Sequence, residues 1–336
     1  MARPVIVVDP DPGWPAQFEQ LRERLAAGLG ELALAIEHVG STSVLGLAAK
    51  PILDVDVVLA SRADLGRAAD RLATLGYVFR GDQGVAGREA FRTSEGPRHH
   101  LYVCAQDSRE LRRHLGLRDW LRAHPDDRDR YAALKRELAV EHRDDSEAYS
   151  EAKRGLVEAI LCEALGEGLQ TERTVLRPFS PDDLPYAHPV FADAEVMRYA
   201  AGPPDADLAA TARRLDHYAA LQDQLGFSKW AVWDRASGAY LGDAGLTVLA
   251  ETGEVELGYR LARAHWGRGL ATEVARAWLD HAREALGIER LIAFADPRNA
   301  ASFRVMDKLG LVYAREDRLA GIDCRVYATD CSPPTE

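Results

Sequence analysis

Apolar residues along the chain follow two spacings, which predict helices and strands in mixed order in both halves. Recurrence every three to four residues indicates amphipathic helices, whereas short alternating or continuous apolar runs indicate strands. The first half predicts helices over 14–29, 63–75, 111–121, 126–142 and 146–165, and strands over 36–39, 52–59, 90–92 and 100–104. The second half predicts strands over 174–178, 228–234, 239–249, 253–261, 290–295 and 322–328, and helices over 181–192, 205–224, 269–286 and 299–309. This order is typical of two α+β domains.

One break in the pattern predicts where the two domains meet. A helical run that contains Leu161 and Leu165 reaches Gly166, and a glycine just past a periodic segment is a helix-stop signal. A new strand pattern then begins at Thr174. We therefore expect a first domain over 1–166, a linker over 167–172, a second domain over 173–330 and a flexible tail over 331–336.

Composition narrows the class of protein. Apolar residues make up 47% of the chain and charged residues 28%, which is ordinary for a folded globular protein and excludes wholesale disorder. No apolar run reaches the roughly 18 residues of a membrane span, and the N-terminus lacks the apolar core of a secretory signal. Four cysteines without CxxC spacing predict reduced thiols, so we expect a cytoplasmic protein with no membrane partner.

The net charge of −11 indicates which kinds of partner the protein is suited to bind. A nucleic-acid partner usually needs a basic face, so this charge argues against one. An acidic protein is compatible with a cationic substrate such as an amine. The oligomeric state stays open.

The first stretch that predicts chemistry is a polar turn followed by an acidic strand. Gly40, Ser41 and Thr42 end a strand, and such a turn can present amides and hydroxyls to phosphate oxygens, with Lys50 adding a positive charge. Asp54 and Asp56 are two residues apart on the next strand, so they share a face and repel each other. A Mg²⁺ ion bound with a nucleotide would relieve that repulsion. The alternative is a solvated strand face after a polar turn.

This half of the chain resembles the GrpB family, a branch of the polymerase-β-like nucleotidyltransferase superfamily. The superfamily pattern of Gly-Ser followed by Asp-x-Asp is matched here by Gly40-Ser41 and Asp54-x-Asp56. The residues that match GrpB proteins are Ser43, Gly46, Lys50, Pro51, the run 117–125, Tyr131, Leu134, Lys135, Tyr149 and Lys153. The resemblance implies a nucleotidyltransferase-like fold that binds a nucleotide or phosphate compound. Tyr102 stands where a further metal ligand is expected, so nucleotidyl transfer and a non-catalytic binding module both remain open.

The second stretch is a strand, a glycine-containing loop and a helix start. Residues 254–261 alternate as a strand, Gly267 and Gly269 follow, and a helical pattern begins at 269. Glycines let a ligand approach the backbone, and the first amides and the dipole of a helix attract negative charge. We therefore expect a pyrophosphate to bind at this loop.

The second half resembles the GNAT acetyltransferases, and among them the ribosomal-protein N-terminal acetyltransferases. The matching runs are 174–178, 241–246, 256–259, 266–273 and 299–311. The resemblance implies a mixed, mostly antiparallel sheet and acetyl-CoA as cofactor. The residues it assigns to the cofactor are Leu257, Gly258 and Tyr259 on the strand, Ala264, His265, Trp266, Gly267, Arg268, Gly269, Leu270, Ala271 and Thr272 in the loop, and Asn299 and Ser302.

Acetyl transfer needs a group that removes a proton from the amine and a group that returns one to the leaving thiolate. Glu256 lies on the cofactor strand and is our candidate base, with Glu254, on the same face, as its rival. Many GNAT members place a tyrosine acid where this chain has Met306, whereas the ribosomal-protein group has a serine that corresponds to Ser302. We therefore predict Ser302 as the acid. The acceptor is a primary amine of a small molecule or of a protein N-terminus.

Overall fold

The computed structural model describes residues 4–85 and 87–330, so the tail predicted over 331–336 lies outside the described residues. The chain divides between Glu167 and Gly168 into two compact units, each with its own sheet. Helices and sheets occur together in both units, which confirms the α+β prediction. Among the described residues, no helix is both long enough and apolar enough to span a bilayer.

The first unit has a five-stranded mixed sheet in the order β1-β2-β5-β4-β3. Only β2 and β5 pair in parallel among its strand neighbours. In chain order its elements are α1 (Trp14–Leu29), β1 (Ala35–Val39), β2 (Leu53–Leu59), α2 (Leu65–Thr74), β3 (Val78–Phe79), β4 (Arg88–Arg92), β5 (His99–Ala105), α3 (Arg109–Ala123), α4 (Pro125–Glu141), α5 (Ser146–Ala152) and α6 (Arg154–Leu165).

Strand β2 separates the two layers of this unit. Leu53, Val55 and Val57 join the core formed with α1 and α2. Because side chains alternate along a strand, Asp54 and Asp56 lie on the opposite face. On that face the helices α3, α4 and α6 form a second apolar cluster with the segment 44–48. The acidic pair therefore lies on the face of the sheet opposite α1 and α2.

Helices and strands differ from the predicted pattern at four places, the first of which is a short strand, Val78–Phe79, where none is predicted. The helix predicted over 146–165 is two helices, because the amide of Lys153 bonds the carbonyl of Glu151 and ends α5 there. The predicted linker contains a short strand, Leu169–Gln170, which pairs with the following strand. A strand at Val312–Leu319 had no apolar signal, since nearly all of it is exposed or half-buried at the sheet edge.

The second unit has an eight-stranded sheet in the order β12-β13-β11-β10-β9-β8-β7-β6. Only the β10–β11 pair is parallel among its strand neighbours, which confirms the mixed, mostly antiparallel sheet. In chain order its elements are β6 (Leu169–Gln170), β7 (Thr174–Pro178), α7 (Leu184–Phe191), α8 (Leu208–Leu225), β8 (Lys229–Asp234), β9 (Tyr240–Val248), β10 (Val255–Leu261), α9 (Leu270–Glu284), β11 (Arg290–Ala295), α10 (Ala300–Leu309), β12 (Val312–Leu319) and β13 (Ile322–Asp330).

Helices cover both faces of this second sheet. On one face, Val274 and Trp278 of α9 pack into the core with Leu257 and Leu261 of β10. On the other face, α7 and α8 pack against Trp233 of β8. Because alternate residues of β10 point to opposite faces, Glu256, Gly258 and Arg260 lie on the side of α7 and α8.

Candidate functional site

The cleft of the second unit lies where β10 and β11 part. The two parallel strands share a single register pair, Glu256 with Ile292, whereas β10 pairs with β9 along its whole length. The carboxyl ends of both strands are therefore at the same edge and separate from each other. Helix α9 begins shortly after β10, and α10 begins shortly after β11. The positive ends of two helix dipoles therefore border one gap.

The segment before α9 offers backbone amides to an anion. Gly267 and Gly269 have φ values of +74° and +79°, a left-handed conformation that favours glycine. Within the described chain, the amides of residues 267–272 donate to no acceptor. The Arg173 guanidinium donates to the Arg268 carbonyl at 2.8 Å, and Glu273 accepts from the Arg173 amide at 2.9 Å, so the loop is anchored. Such free amides at a helix start suit phosphate oxygens.

The other loop residues surround these amides. Ala264 and His265 belong to the short turn Arg263–His265, and His265 Nδ1 lies 3.3 Å from the Arg268 guanidinium. The Trp266 indole donates to the Leu261 carbonyl while the ring stays 48% exposed. Leu270 is buried in the core, whereas Ala271 and Thr272 occupy the first turn of α9. The loop is therefore fixed at its start and open along its amides.

Tyr259 connects β10 with the start of α10. Its hydroxyl donates to the Ser302 carbonyl at 3.4 Å, and burial raises its pKa well above the ordinary range. The Asn299 side chain caps α10 by accepting from the Ser302 amide at 3.2 Å. The side chains of Tyr259 and Ser302 also hydrogen-bond to each other, which opposes the rise in the pKa of Tyr259. The predicted acid is therefore held at a helix start beside the Tyr259 hydroxyl.

The candidate base Glu256 is held by two neighbouring strands. Lys229 of β8 donates to Oε2 at 2.9 Å, and Thr247 of β9 donates to the same atom at 2.7 Å. Lys229 also donates to the Gly245 carbonyl at 3.1 Å and is 7% exposed. Glu256 Oε1 accepts no hydrogen bond from the described residues. One carboxylate oxygen is thus fixed while the other is available for a proton.

Gly258 makes this arrangement possible. A Cβ atom added there would lie 2.2 Å from Lys229 Nζ and 2.4 Å from Glu256 Oε1. A side chain at this position would therefore shift the ends of Lys229 and Glu256 from where they lie, whereas glycine leaves that space to the ion pair.

The carboxylate of Glu254, the rival base, is paired with an arginine. Its carboxylate accepts from both terminal nitrogens of Arg315, at 3.3 and 2.6 Å. The hydrogen bond from Arg315 is the main reason that the pKa of Glu254 is lowered. A carboxylate held in this way is a poor proton acceptor.

In the first unit, the polar turn packs directly against β2. Gly40 has a φ of +68°, and a Cβ atom there would lie 2.3 Å from Asp54 Oδ2, so both conformation and space require glycine. Ser41 Oγ accepts a hydrogen bond from Lys135 Nζ at 2.8 Å. The Thr42 hydroxyl instead lies 3.0 Å from His38 Nε2, in the interior. Of the predicted phosphate-binding residues, Ser41 adjoins a cation, Thr42 is buried, and Lys50 lies over the Tyr149 ring at 5.2 Å.

Asp54 and Asp56 each contact a different histidine. Asp54 Oδ1 lies 3.0 Å from His100 Nδ1, and Asp56 Oδ2 lies 2.7 Å from His114 Nδ1. Asp56 is fully buried. Its carboxylate raises the pKa of His114 although burial of the imidazole opposes that shift. The two carboxylates therefore have separate histidine partners.

Family models match each unit in turn. The model described as GrpB protein matches residues 4–163, and the model described as acetyltransferase (GNAT) domain matches residues 173–312. A UPF0157 protein of Halalkalibacterium halodurans, BH1888, is 38% identical over 161 residues, which cover 47% of this chain and 80% of that protein. The chain belongs to the GrpB family. Its second half is a GNAT acetyltransferase domain, a domain of the acyltransferase class.

Two further relatives show how far the similarity reaches. The UPF0157 protein YqkA of Bacillus subtilis is 37% identical over 141 residues, which cover 42% of this chain and only 41% of YqkA. An uncharacterized N-acetyltransferase of Bacillus licheniformis, p20, is 26% identical over 144 residues, which cover 43% of this chain and 81% of p20. Each match therefore accounts for less than half of this chain.

The magnesium site predicted in the GrpB unit is not supported. Mg²⁺ needs several oxygen ligands at one point, but Asp54 and Asp56 bind different histidines. Tyr102, where a further ligand was expected, lies with its ring 4.3 Å from the Arg88 guanidinium. Among the described residues, no group of three or more His, Cys, Asp or Glu side chains could hold a metal ion. The described residues therefore do not supply the set of ligands that the predicted magnesium site needs.

Two lysines of these sites had no role assigned from the sequence. Lys229 belongs to no motif in the sequence, and Lys135 is only one of the residues that match GrpB proteins. A compositional signal could have found both, because the chain has only five lysines against 37 arginines. Four of those lysines, all but Lys308, lie in the regions just described. Lysine is smaller than arginine and can lose its proton, so the two are not interchangeable at buried positions.

Proposed function

We propose that the protein is an N-acetyltransferase that moves an acetyl group from acetyl-CoA to a primary amine of a small molecule or a protein N-terminus. The observation that carries this proposal is the gap between β10 and β11, bordered by the free amides of residues 267–272. These amides would bind the pyrophosphate, and β10 residues 257–259 would lie along the pantetheine arm with Asn299. Acetyl-CoA supplies the activated acyl group.

The proton transfers are assigned to two side chains. Glu256 Oε1 takes a proton from the amine, directly or through one water, while Lys229 and Thr247 hold Oε2 in place. The Ser302 hydroxyl, at the capped start of α10, supplies the proton to the departing thiolate. Tyr259, bonded to the Ser302 carbonyl, orients that turn.

We infer the kind of acceptor from the net charge of the protein and from the face of β10 on which Glu256 lies. An acidic protein attracts amines, which are cationic before they lose a proton. Glu256 lies on the face of β10 that α7 and α8 cover, so the amine would arrive from that side. Both acceptor classes present the same reacting nitrogen, so the test includes both.

The experiment measures CoA release by the full chain with acetyl-CoA and a panel of polyamines, aminoglycosides and N-terminal peptides. Glu256→Gln should lower kcat by about 10²- to 10⁴-fold and leave the KM for acetyl-CoA nearly unchanged, because it removes a proton acceptor and no cofactor contact. Gly269→Glu should abolish acetyl-CoA binding in calorimetry, since it forces charge and strain into the loop. Undiminished acetyl-CoA affinity in Gly269→Glu would refute the assignment of the loop.

We further propose that the GrpB unit is a binding module for a nucleotide or another phosphate compound at the turn Gly40–Thr42 and Lys50. Support comes from the Gly40–Asp54 packing, which fixes the turn, and from the lysine beside Ser41. Thermal stabilisation of the full chain by ATP in the presence of a chelator is the measurement that tests this second proposal.

A further inference from the structure

Three lysines converge behind the Gly40–Thr42 turn of the GrpB unit. Lys135 of α4 donates to Ser41 Oγ at 2.8 Å and to the Ala48 carbonyl, and it lies over the Tyr131 ring at 4.5 Å. Lys50 and Lys153 lie over the Tyr149 ring from 5.2 and 5.3 Å. These are all the lysines of the unit, and we call them the lysine cluster.

The lysine cluster has no carboxylate partner. Across the described residues, none of the three ammonium groups lies within 4.0 Å of an Asp or Glu oxygen. The nearest acidic influence is Asp54, which already bonds His100. A buried cation without a counter-ion is unfavourable, and Lys135 is only 2% exposed. The charged form of the lysine cluster would therefore need an anion from outside the chain.

A ligand could reach the lysine cluster from the solvent. Ser41, Lys50, Asp54, His100 and Lys153 are all partly exposed, whereas Lys135 closes the inner end. The cluster thus forms the buried side of a polar surface region, with the Ser41 hydroxyl between Lys135 and the turn. An anion that reached Ser41 would lie beside the Lys135 ammonium group.

We propose that Lys50, Lys135 and Lys153, together with the Ser41 hydroxyl, bind the phosphate groups of a phosphorylated compound directly, with no metal ion between. This inference rests on the proposed binding function of the GrpB unit and names the groups that perform it. Three ammonium groups match the charge of a di- or triphosphate, and lysine binds phosphate as a compact point charge. Asp54 and Asp56 contact different histidines, and the described residues offer no group of three or more His, Cys, Asp or Glu side chains that could hold a metal ion.

Protonation of Lys135 adds a second signature of binding. Burial, followed by the charge of Lys153, lowers the pKa of Lys135 to about 6. The charged groups that act on it are Lys50, Arg136 and Lys153, which disfavour its proton, and Asp54, which favours it. A phosphate beside Nζ favours the charged form and raises the pKa. At pH 7.5, anion binding should therefore take up as much as about one proton.

The experiment is calorimetric titration of the full chain with sodium triphosphate, pyrophosphate and ATP, first with Mg²⁺ present and then in EDTA. Each titration is run in two buffers of different ionisation enthalpy, which reports proton uptake. All chains carry Gly269→Glu, so that anion binding at the loop of the GNAT domain is not counted. Lys135→Met is compared with Lys308→Met, which makes the same charge change at an exposed position of α10.

The expected result is metal-independent triphosphate binding that weakens at least tenfold in Lys135→Met and is unchanged in Lys308→Met. Proton uptake should disappear with Lys135. If Lys135→Met does not fold, Lys153→Met, at a partly exposed position, is titrated in its place. Triphosphate binding that persists in the lysine variants, or that EDTA abolishes, would overturn the inference and leave phosphate binding by the unit intact. No binding of any phosphate compound by the parent chain would overturn both.

Discussion

Two buried lysines, one in each unit, have opposite surroundings. Lys229 is 7% exposed and donates to Glu256, so its charge is balanced within the protein. Lys135 is 2% exposed and, among the described residues, donates only to Ser41 and the Ala48 carbonyl, both of them uncharged. The two side chains are buried to a similar degree, so burial alone does not explain what each one does. The two lysines differ in whether a carboxylate balances the charge of the ammonium group.

The difference indicates two uses of a buried ammonium group. Lys229 holds one carboxylate oxygen of Glu256, and in the mechanism we propose the other oxygen takes the proton of the amine. Lys135 has no carboxylate beside it, and burial lowers its pKa to about 6; in our proposal an anionic ligand supplies the missing charge. Removing the two lysines should therefore change stability in opposite directions.

The largest effect is expected from Lys229→Met. This change leaves the Glu256 carboxylate without its cation, so the GNAT domain should lose about 3 kcal/mol of unfolding free energy. It should also lower kcat about tenfold or more and shift the pH profile, because Glu256 is no longer oriented or balanced. Chemical denaturation and steady-state kinetics measure the two effects.

A double variant separates stability from catalysis. Lys229→Met with Glu256→Gln removes both charges, so most of the lost stability should return while activity stays as low as in Glu256→Gln. Unchanged stability and an unchanged pH profile in Lys229→Met would show that the pair does not position the base.

The opposite effect is expected from Lys135→Met, which should stabilise the ligand-free GrpB unit by about 2 kcal/mol at pH 7.5. The lowered pKa costs about 4 kcal/mol there, and the lost bonds to Ser41 and Ala48 offset part of the gain. Hydrogen exchange in β2 and α4 reports the stability of this unit separately. A destabilised variant would mean that Lys135 serves packing and hydrogen bonding alone.

The pH dependence of the same unit has a defined sign. An unfolded lysine keeps its proton to about pH 10, whereas folded Lys135 loses it above about pH 6. Between these values the unfolded chain binds more protons, so the free energy of unfolding rises with pH. Lys135→Met should remove this part of the slope between pH 7 and pH 9, and an identical slope in both proteins would contradict the lowered pKa.

Much of the fold could be predicted because local pattern determines it. The alternation in β2 and the helical spacing of α9 depend on residues close in sequence, and both elements occur where they are predicted. The edge strand Val312–Leu319 had no such signal, because an exposed strand needs no apolar face. The break at Lys153 had none either, because it depends on one backbone hydrogen bond.

Glycines and motif order in the sequence indicate the candidate sites, the Gly40–Thr42 turn and the 264–272 loop, but not their side-chain partners. The contacts Ser41–Lys135 and Glu256–Lys229 join distant segments, and pairing in the sheet or between layers decides them. The same reason applies to the predicted Asp54–Asp56 metal pair. His114, which contacts Asp56, lies 58 residues further along the chain, in α3.

The smallest effect is expected from Glu254→Gln, the matched control for Glu256→Gln. Both glutamates lie on one face of the same segment and differ in their partners. Glu254 is held by Arg315 at a partly exposed position, where an ion pair contributes about 0 to 1 kcal/mol, so stability should change little. Because Arg315 already disfavours protonation of Glu254, its loss should leave kcat within about twofold. Steady-state rates of CoA release for the two variants, measured across pH, decide the assignment. A fall in kcat as large as that of Glu256→Gln would transfer the role of base to Glu254, and the Lys229–Glu256 pair would then be structural.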